Sequence, residues 1–265
     1  MSKKNLYQND FMDTSISNVE LINQRRVING PDDGLMQVSP LKHPWAYELF
    51  LDMIKNNWVP QEVPLQKDVE IWNGTDLTET EKQIYQRSLA FVSNLDGLQT
   101  NNLASNIIRH ITSPEIVLAI VRQTFEEALH VQSYAAMIEA LALNPEDVYG
   151  LYRKDKDLYE KNKQVLKAVS KISSPTFKTG TFETDQLFLE ACVGNIILEG
   201  IYFYSAFLFF YNFKRHNKMP GSAEMIQFIN RDEDMHVRIF VHITNTIIKE
   251  QPELWTPDFQ ERIIQ

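Results

Sequence analysis

A long apolar segment with a carboxylate at its centre constrains the fold of this chain more than any other feature. Residues 187–213 are mostly apolar, and the part from Ile201 to Phe213 carries no charge. In a membrane, Glu199 would lie near the middle of the bilayer, where an unpartnered carboxylate is strongly disfavoured. The alternative is a helix that is apolar all round because it is buried all round. We favour this buried helix over a membrane span, and Glu199 then needs a metal ion or a proton to neutralise it.

The rest of the sequence has helical spacing of apolar residues and no clear strand alternation. Thr78 and Glu81 form a capping box, which marks a helix start. Ser113 followed by Pro114 is typical of the N-cap and the first position of another helix. The longest helices have about 30 residues, or roughly 45 Å, which is typical of a bundle. We predict an all-α bundle with helices near residues 43–58, 78–111, 114–143, 154–171, 184–213 and 222–249.

Composition and net charge exclude or disfavour several classes of protein. The 265 residues suffice for one large domain, and we predict an extended arm over residues 1–40 and a single helical domain over 41–265. The net charge of −9 disfavours binding to nucleic-acid phosphates. Cys192 is the only cysteine, which excludes a disulfide framework. No apolar stretch follows the N-terminal lysines, so we predict no secretory signal and a cytoplasmic protein.

Two Glu-x-x-His motifs carry the chemistry of the chain. They are Glu127–His130 and Glu233–His236, each on a predicted helix. Residues three apart share one helix face about 4.5 Å apart along the axis, so both side chains of a motif can reach one metal ion. Two such motifs in one chain suggest two metal ions.

A carboxylate on the preceding helix matches each motif. The residue halfway between Asp96 and Glu127 falls at the predicted turn near 111–113, and that between Glu199 and Glu233 falls at the turn near 214–221. Residues equidistant from the turn of an antiparallel hairpin lie at the same height. Packing the two hairpins together would therefore bring four carboxylates and two imidazoles into the core, as in ferritin-like dimetal bundles. These donors suit iron or manganese.

Other residues near this predicted site can be interpreted either as functional or as purely structural. Asp96, with polar neighbours, could be a surface charge. Tyr134 lies one turn beyond His130 on the same stripe and could lose an electron to oxidised metals, or could be an ordinary core tyrosine. Phe203, Phe207 and Ile229 could form a dry pocket around a radical, or belong to the core.

From about Arg26 to Gln265 the chain resembles the small, radical-generating subunit of class I ribonucleotide reductase. The similarity is carried by four stretches, which begin at Trp58 (WVPQEVP), Phe125 (FEEALHVQSY), Leu198 (LEGIYFY) and Arg231 (RDEDMH). The resemblance implies that a dimetal centre activates O2 and generates a tyrosyl radical, which passes to the large subunit for reduction of ribonucleotides. It implies that Asp96, Glu127 and His130 bind one metal and that Glu199, Glu233 and His236 bind the other. It also implies that Tyr134 carries the radical and that Trp58 and Asp232 relay it. Phe203, Phe207 and Ile229 would then form the apolar pocket around the radical.

The sequence does not determine which two metals bind, because it matches one subgroup of the family at some positions and departs from it at others. Asn102 and the turn at 214–219 are similar to a subgroup that uses a manganese–iron pair, whereas that subgroup has Phe in place of Tyr134 and Glu in place of Asp96. We expect an iron pair, with Mn/Fe or Mn/Mn as alternatives and O2 as oxidant.

The resemblance also implies partners. The large catalytic subunit and a second copy of the chain, forming a homodimer, are the expected partners. Family members usually continue through further helices and a tail that docks into the large subunit, and we expect the natural product to extend past Gln265. Two alternatives are a small-molecule oxidase on the same bundle, and iron storage like a ferritin.

Overall fold

The computed structural model describes residues 17–31 and 34–264. Over these ranges the chain forms an all-helical bundle, which confirms the predicted fold class. The α-helices are α1 (Asn18–Gln24), α2 (Pro44–Lys55), α3 (Gln66–Asn73), α4 (Glu79–Asn102), α5 (Pro114–Ala140), α6 (Pro145–Tyr149), α7 (Lys156–Ser170), α8 (Phe182–Ile197), α9 (Phe203–Arg215), α10 (Pro220–Glu250) and α11 (Pro257–Ile264).

Two hairpins form the centre of the bundle. One joins α4 to α5, and the other joins α8 and α9 to α10. Helix α4 begins at the predicted capping box, in which the Thr78 hydroxyl accepts from the Glu81 N–H and the Glu81 carboxylate accepts from the Thr78 N–H. Helix α5 begins at Pro114 as predicted, although the Ser113 hydroxyl donates to Glu115 and does not cap the helix.

Two predicted helices are each interrupted by one π-helical turn. These turns are Leu103–Ile107, which follows α4, and Leu198–Tyr202, which joins α8 to α9. A π turn inserts about one residue and therefore rotates the following helix by roughly 100° relative to a continuous α-helix. Glu199 lies inside the second turn, so this irregularity helps to set the direction of its carboxylate.

The prediction that the apolar segment is buried all round is wrong. Glu199 is fully buried, but Ile201 and Leu208 are 60% and 66% exposed. The reason is that α9 packs against α4 and α10 on one face, while its opposite face is left uncovered by the described residues. By length and composition this helix could cross a membrane, a test that the core helix of a soluble protein also passes.

The predicted N-terminal arm is not extended throughout. Helix α1 lies within it, and Val27 and Ile28 are fully buried, with Ile28 bridging to Ile111. Ser17 accepts from the Glu20 N–H and caps the helix, which explains the local departure from an extended chain. Residues 1–16 and 32–33 lie outside the described residues, and the division at residue 40 stays a prediction.

Helix α3, which sequence spacing did not predict, caps the start of α10. The residue before α10, Met219, is in the left-handed region and offers no side-chain cap. Instead the Asp68 carboxylate accepts from the backbone N–H groups of Gly221 at 2.8 Å and Ser222 at 2.6 Å. A Cβ at Gly221 would lie 2.5 Å from the Pro64 carbonyl oxygen, so this close approach requires glycine.

The short helix α11 is held by one aromatic side chain. Phe259 is fully buried and contacts Trp255 edge-on, with ring centroids 5.5 Å apart. Arg262 donates to the Gln186 side chain at 3.0 Å. These contacts supply the tertiary packing that a helix of two turns needs.

Glu81 makes the start of α4 sensitive to acid. Its carboxylate accepts from Lys218 Nζ at 2.6 Å and from the Thr78 N–H at 2.8 Å, and these bonds lower the pKa of Glu81 to about 2. Because this pKa is below the ordinary value of 4.5, the stabilisation is complete above about pH 4.5 and is lost as pH falls toward 2.

We expect Glu81→Gln to lower the free energy of unfolding by about 1 kcal/mol at pH 7. The difference from the wild type should shrink at pH 3, and urea unfolding at both pH values measures it. Glu79→Gln is the matched control, because Glu79 lies in the same first turn but its side chain is 86% exposed. An equal loss at both pH values would contradict the assignment.

Candidate metal centre

Six fully buried side chains from four helical segments converge in the core. The mirrored spacing of the sequence selects the same six. Their donor atoms form two overlapping groups, and within each group the atoms lie within 4.8 Å of one another. The groups are Asp96, Glu127, His130 and Glu233, and Glu127, Glu199, Glu233 and His236.

The two groups share two carboxylates. Glu127 and Glu233 belong to both, one from each Glu-x-x-His motif. Asp96 and His130 belong only to the first group, and Glu199 and His236 belong only to the second. One carboxylate from each Glu-x-x-His motif therefore has a donor atom in both groups.

Several donor atoms at this site have no hydrogen-bond partner among the described residues. A buried polar atom left in this way is costly, by about 1–3 kcal/mol or more for a charged group. A cation between the carboxylates and imidazoles would satisfy these atoms, so the residues fit a metal pair. The atoms are Asp96 Oδ1 and Oδ2, Glu127 Oε2, His130 Nδ1, Glu199 Oε2 and Glu233 Oε1.

Several carboxyl groups are buried close together at the site, and this shifts their pKa values. Burial, followed by the charges of Glu127 and Glu233, raises the pKa of both Asp96 and Glu199 well above the ordinary range. Burial also acts on Glu233, but the two neighbouring imidazoles outweigh it and its pKa is lowered. Without metal, protons neutralise part of this charge, so metal binding must displace them.

The two histidines are oriented alike. Each directs Nδ1 toward the shared carboxylates, with Glu233 oxygens 3.2 Å from His130 Nδ1 and 2.8 Å from His236 Nδ1. Each directs Nε2 to an outer carboxylate, Asp232 at 3.2 Å and Glu126 at 3.0 Å respectively. Such outer carboxylates fix the tautomer and ring orientation of a metal-ligating histidine. Burial lowers the pKa of both imidazoles, but the surrounding carboxylates raise it more.

A continuous line of contacts leads from the site to Trp58. The indole Nε1 of Trp58 donates to Asp232 Oδ2 at 2.7 Å, the same oxygen that faces His130. Trp58 is 2% exposed and stacks on Phe228 with ring centroids 5.1 Å apart. The structure thus brings together His130, Asp232 and Trp58, as the sequence resemblance implies.

Tyr134 is fully buried, and its hydroxyl has no hydrogen-bond partner among the described residues. Burial, followed by the neighbouring Asp96 carboxylate, raises the pKa of Tyr134 well above its ordinary value. Phe203, Phe207 and Ile229 are buried in the same apolar cluster as Tyr134. The phenol is therefore kept neutral and away from water.

Sequence reasoning missed two contributors to the site. Glu126 contacts His236 and forms an ion pair with Arg122 at 3.0 Å. It directly precedes Glu127 but is not among the residues predicted from the sequence. Gln99 donates to Glu199, and its place three residues after Asp96, on the same helix face, was the available signal.

Comparison with known proteins identifies the family. Residues 35–265 match the family model described as ribonucleotide reductase, small chain. The ribonucleoside-diphosphate reductase subunit beta of Chlamydia pneumoniae is 34% identical over 256 residues, which cover 96% of this chain and 74% of the relative.

Two solved structures are informative. The ribonucleotide reductase R2 subunit from Clostridium botulinum superposes with a TM-score of 0.81 and 32% identity, covering 90% of this chain and 73% of that one. An R2-like ligand-binding oxidase with a reconstituted Mn/Fe cofactor has a TM-score of 0.72 at 19% identity, covers 88% and 80% of the two chains, and shares the fold. The match to the small-chain family model over most of the sequence, together with relatives above 30% identity, shows that this chain belongs to the ribonucleotide reductase small-chain family.

Proposed function

We propose that this chain is the radical-generating small subunit of a class I ribonucleoside-diphosphate reductase. The observation that carries the proposal is the position of Tyr134, a fully buried phenol with no hydrogen-bond partner among the described residues, near Asp96 of the six-residue site. The line from His130 through Asp232 to Trp58 supports it, because it offers a route for an electron. Both features are unnecessary for a protein that only stores metal.

The six converging residues would hold two metal ions. Asp96 and His130 would hold one, Glu199 and His236 the other, with Glu127 and Glu233 placed to contact both. We propose an iron pair, with Mn/Fe or Mn/Mn as alternatives, because carboxylate and imidazole donors suit both metals. After reaction with O2, such a pair supplies the oxidising equivalents for removal of one electron from a nearby side chain.

Tyr134 would lose that electron from its ring and its proton from the hydroxyl oxygen. Asp96 is the neighbouring carboxylate whose charge acts most strongly on the pKa of this hydroxyl, and we propose it as the acceptor of the proton. The buried apolar side chains Phe203, Phe207 and Ile229 exclude solvent and the small reductants dissolved in it, which would otherwise reduce a tyrosyl radical. A dry pocket therefore extends the lifetime of the oxidised side chain.

The radical equivalent would then pass along His130, Asp232 and Trp58 to a large catalytic subunit, which reduces ribonucleotides to deoxyribonucleotides. Asp232 can mediate this step because one of its oxygens, Oδ2, faces both the imidazole and the indole. We further propose a cytoplasmic homodimer, in keeping with the family, with no role for nucleic acid or a membrane.

Electron paramagnetic resonance on the wild-type chain tests the assignment. The protein is loaded anaerobically with Fe(II) and exposed to O2, and a parallel sample receives manganese with and without iron. We expect a tyrosyl signal in at least one of these samples, and the sample that gives it identifies the competent metal pair. Silence in every sample with both metal positions filled would contradict the function.

Trp58→Phe separates radical storage from radical transfer. The variant keeps an aromatic ring against Phe228 but loses the N–H that donates to Asp232. We expect the Tyr134 radical to form, while ribonucleotide reduction with the large subunit falls by roughly 100-fold or more, as for loss of a directly involved group. Trp72→Phe is the control, since Trp72 contacts Tyr85 and Lys82 away from the site and its loss should leave turnover unchanged. Full turnover in the Trp58 variant would remove this residue from the route.

A further inference from the structure

The two oxygens of the Glu199 carboxylate have different surroundings. Oε1 accepts hydrogen bonds from Gln99 Nε2 at 2.5 Å and Gln123 Nε2 at 3.4 Å. Oε2 has no hydrogen-bond partner among the described residues. One oxygen is therefore occupied by protein amides, and the other is left for a cation.

The orientation of the Gln99 amide is set by its neighbours. Asn195 donates from Nδ2 to the Ala191 carbonyl at 2.7 Å, which leaves Asn195 Oδ1 as the acceptor that Gln99 Nε2 meets at 2.7 Å. On its other side, Gln99 Oε1 accepts from Asn102 Nδ2 at 3.3 Å. Because a backbone carbonyl can only accept, this chain of bonds requires Gln99 to present a donor to Glu199.

The amide chain continues away from the site. Asn106 donates to Asn102 at 3.2 Å, Asn102 donates to Gln99, and Gln99 donates to Glu199, so the donors all point the same way. Bonds aligned in this manner polarise one another. Gln99 is 1% exposed, Asn102 2% and Asn195 4%. A buried network of this size is costly unless every member is satisfied, which indicates a fixed arrangement.

A cavity of about 150 Å³ borders the same amides. Gln99, Asn102 and Asn195 form its polar side, and Val165 and Leu198 are among the apolar residues opposite. Among the described residues that line this cavity, none carries a charged side chain.

We propose that Gln99 is a positioning residue that restricts Glu199 to a single metal-binding oxygen, Oε2. The inference rests on the proposed function, because it requires a metal at the Glu199–His236 position. By holding Oε1, the amide keeps the unpartnered Oε2 directed toward the metal position. It thereby sets the affinity and the coordination of this metal position, and leaves the position that contains Asp96 and His130 unaffected.

Gln99→Met tests the proposal, because methionine has a similar length and volume but no donor. Mn(II) binding is followed by calorimetry and by electron paramagnetic resonance of the manganese-loaded protein, without any turnover assay. We expect one Mn(II) to bind as in the wild type and the other to bind 10- to 100-fold more weakly. The spectrum of the loaded pair should also change, because the coordination of one ion is altered.

Gln164→Met is the matched control, since Gln164 is an exposed glutamine that lines the same cavity on α7. It should leave both affinities and the spectrum unchanged. Wild-type values in the Gln99 variant, an equal loss at both positions, or the same change in the Gln164 variant would each overturn the inference while leaving the proposed function standing. A wild-type protein that binds neither a Mn(II) pair nor an Fe(II) pair would overturn both.

Discussion

The Tyr134→Phe variant should bind two metal ions and give no tyrosyl radical and no ribonucleotide reduction. Phenylalanine fits the same apolar cluster, and among the described residues the Tyr134 hydroxyl has no hydrogen-bond partner that its removal would leave unpaired. Removing a group of this kind is close to neutral for stability. The expected loss of radical is therefore complete, while the free energy of unfolding should change by less than about 1 kcal/mol.

Tyr85→Phe is the matched control for this experiment. Tyr85 is also fully buried, but its hydroxyl is hydrogen-bonded to Ser222 Oγ at 2.7 Å, and burial raises its pKa. We expect this variant to keep the radical and to lose about 1 kcal/mol of stability. Electron paramagnetic resonance and metal analysis are made on both variants after identical loading. If a radical persists in the Tyr134→Phe variant, the radical must lie on another side chain.

Glu233→Gln should remove both metal ions, a larger effect than loss of a residue that belongs to one group. Glu233 is shared by the two groups, and its carboxylate lies within 3.2 Å of one imidazole and 2.8 Å of the other. A neutral amide supplies neither the charge nor the second acceptor oxygen. We expect the number of bound metal ions per chain, measured by Mn(II) titration and elemental analysis, to fall from about two to below one.

Asp96→Asn is the comparison, since Asp96 belongs to only one group. It should weaken one metal position and spare the other. If Glu233→Gln still binds one ion with wild-type affinity, Glu233 is not shared between the two metals. Circular dichroism of the metal-free variants excludes a general loss of fold, which neutral replacements of similar size should not cause.

The helix pattern and the six converging residues could be predicted from the sequence because both depend on local rules. Capping residues fix where a helix begins, and a hairpin brings residues equidistant from its turn to the same height. The same symmetry places Asp96 beside Glu127 and Glu199 beside Glu233. Membership of the family rests on longer motifs and is confirmed by the comparisons.

The remaining features depend on packing between distant segments. The π turn that contains Glu199 includes one glycine, Gly200, and no proline, so its sequence does not distinguish it from a continuous α-helix. The sharing of Glu127 and Glu233 depends on side-chain conformation, and the exposed face of α9 depends on which elements pack against it. The capping of α10 by Asp68 joins residues 154 positions apart, which no local pattern indicates.

That distant cap has a consequence for how the molecule is made. Synthesis runs from the N-terminus, so the Asp68 carboxylate is present long before Gly221 and Ser222 emerge to use it. Contacts between residues so far apart in sequence form late, because the intervening chain must first be brought together. Helix α10 also carries Glu233 and His236, without which neither metal group is complete. Neither group of donors is therefore complete until α10 has been synthesised and docked against the bundle.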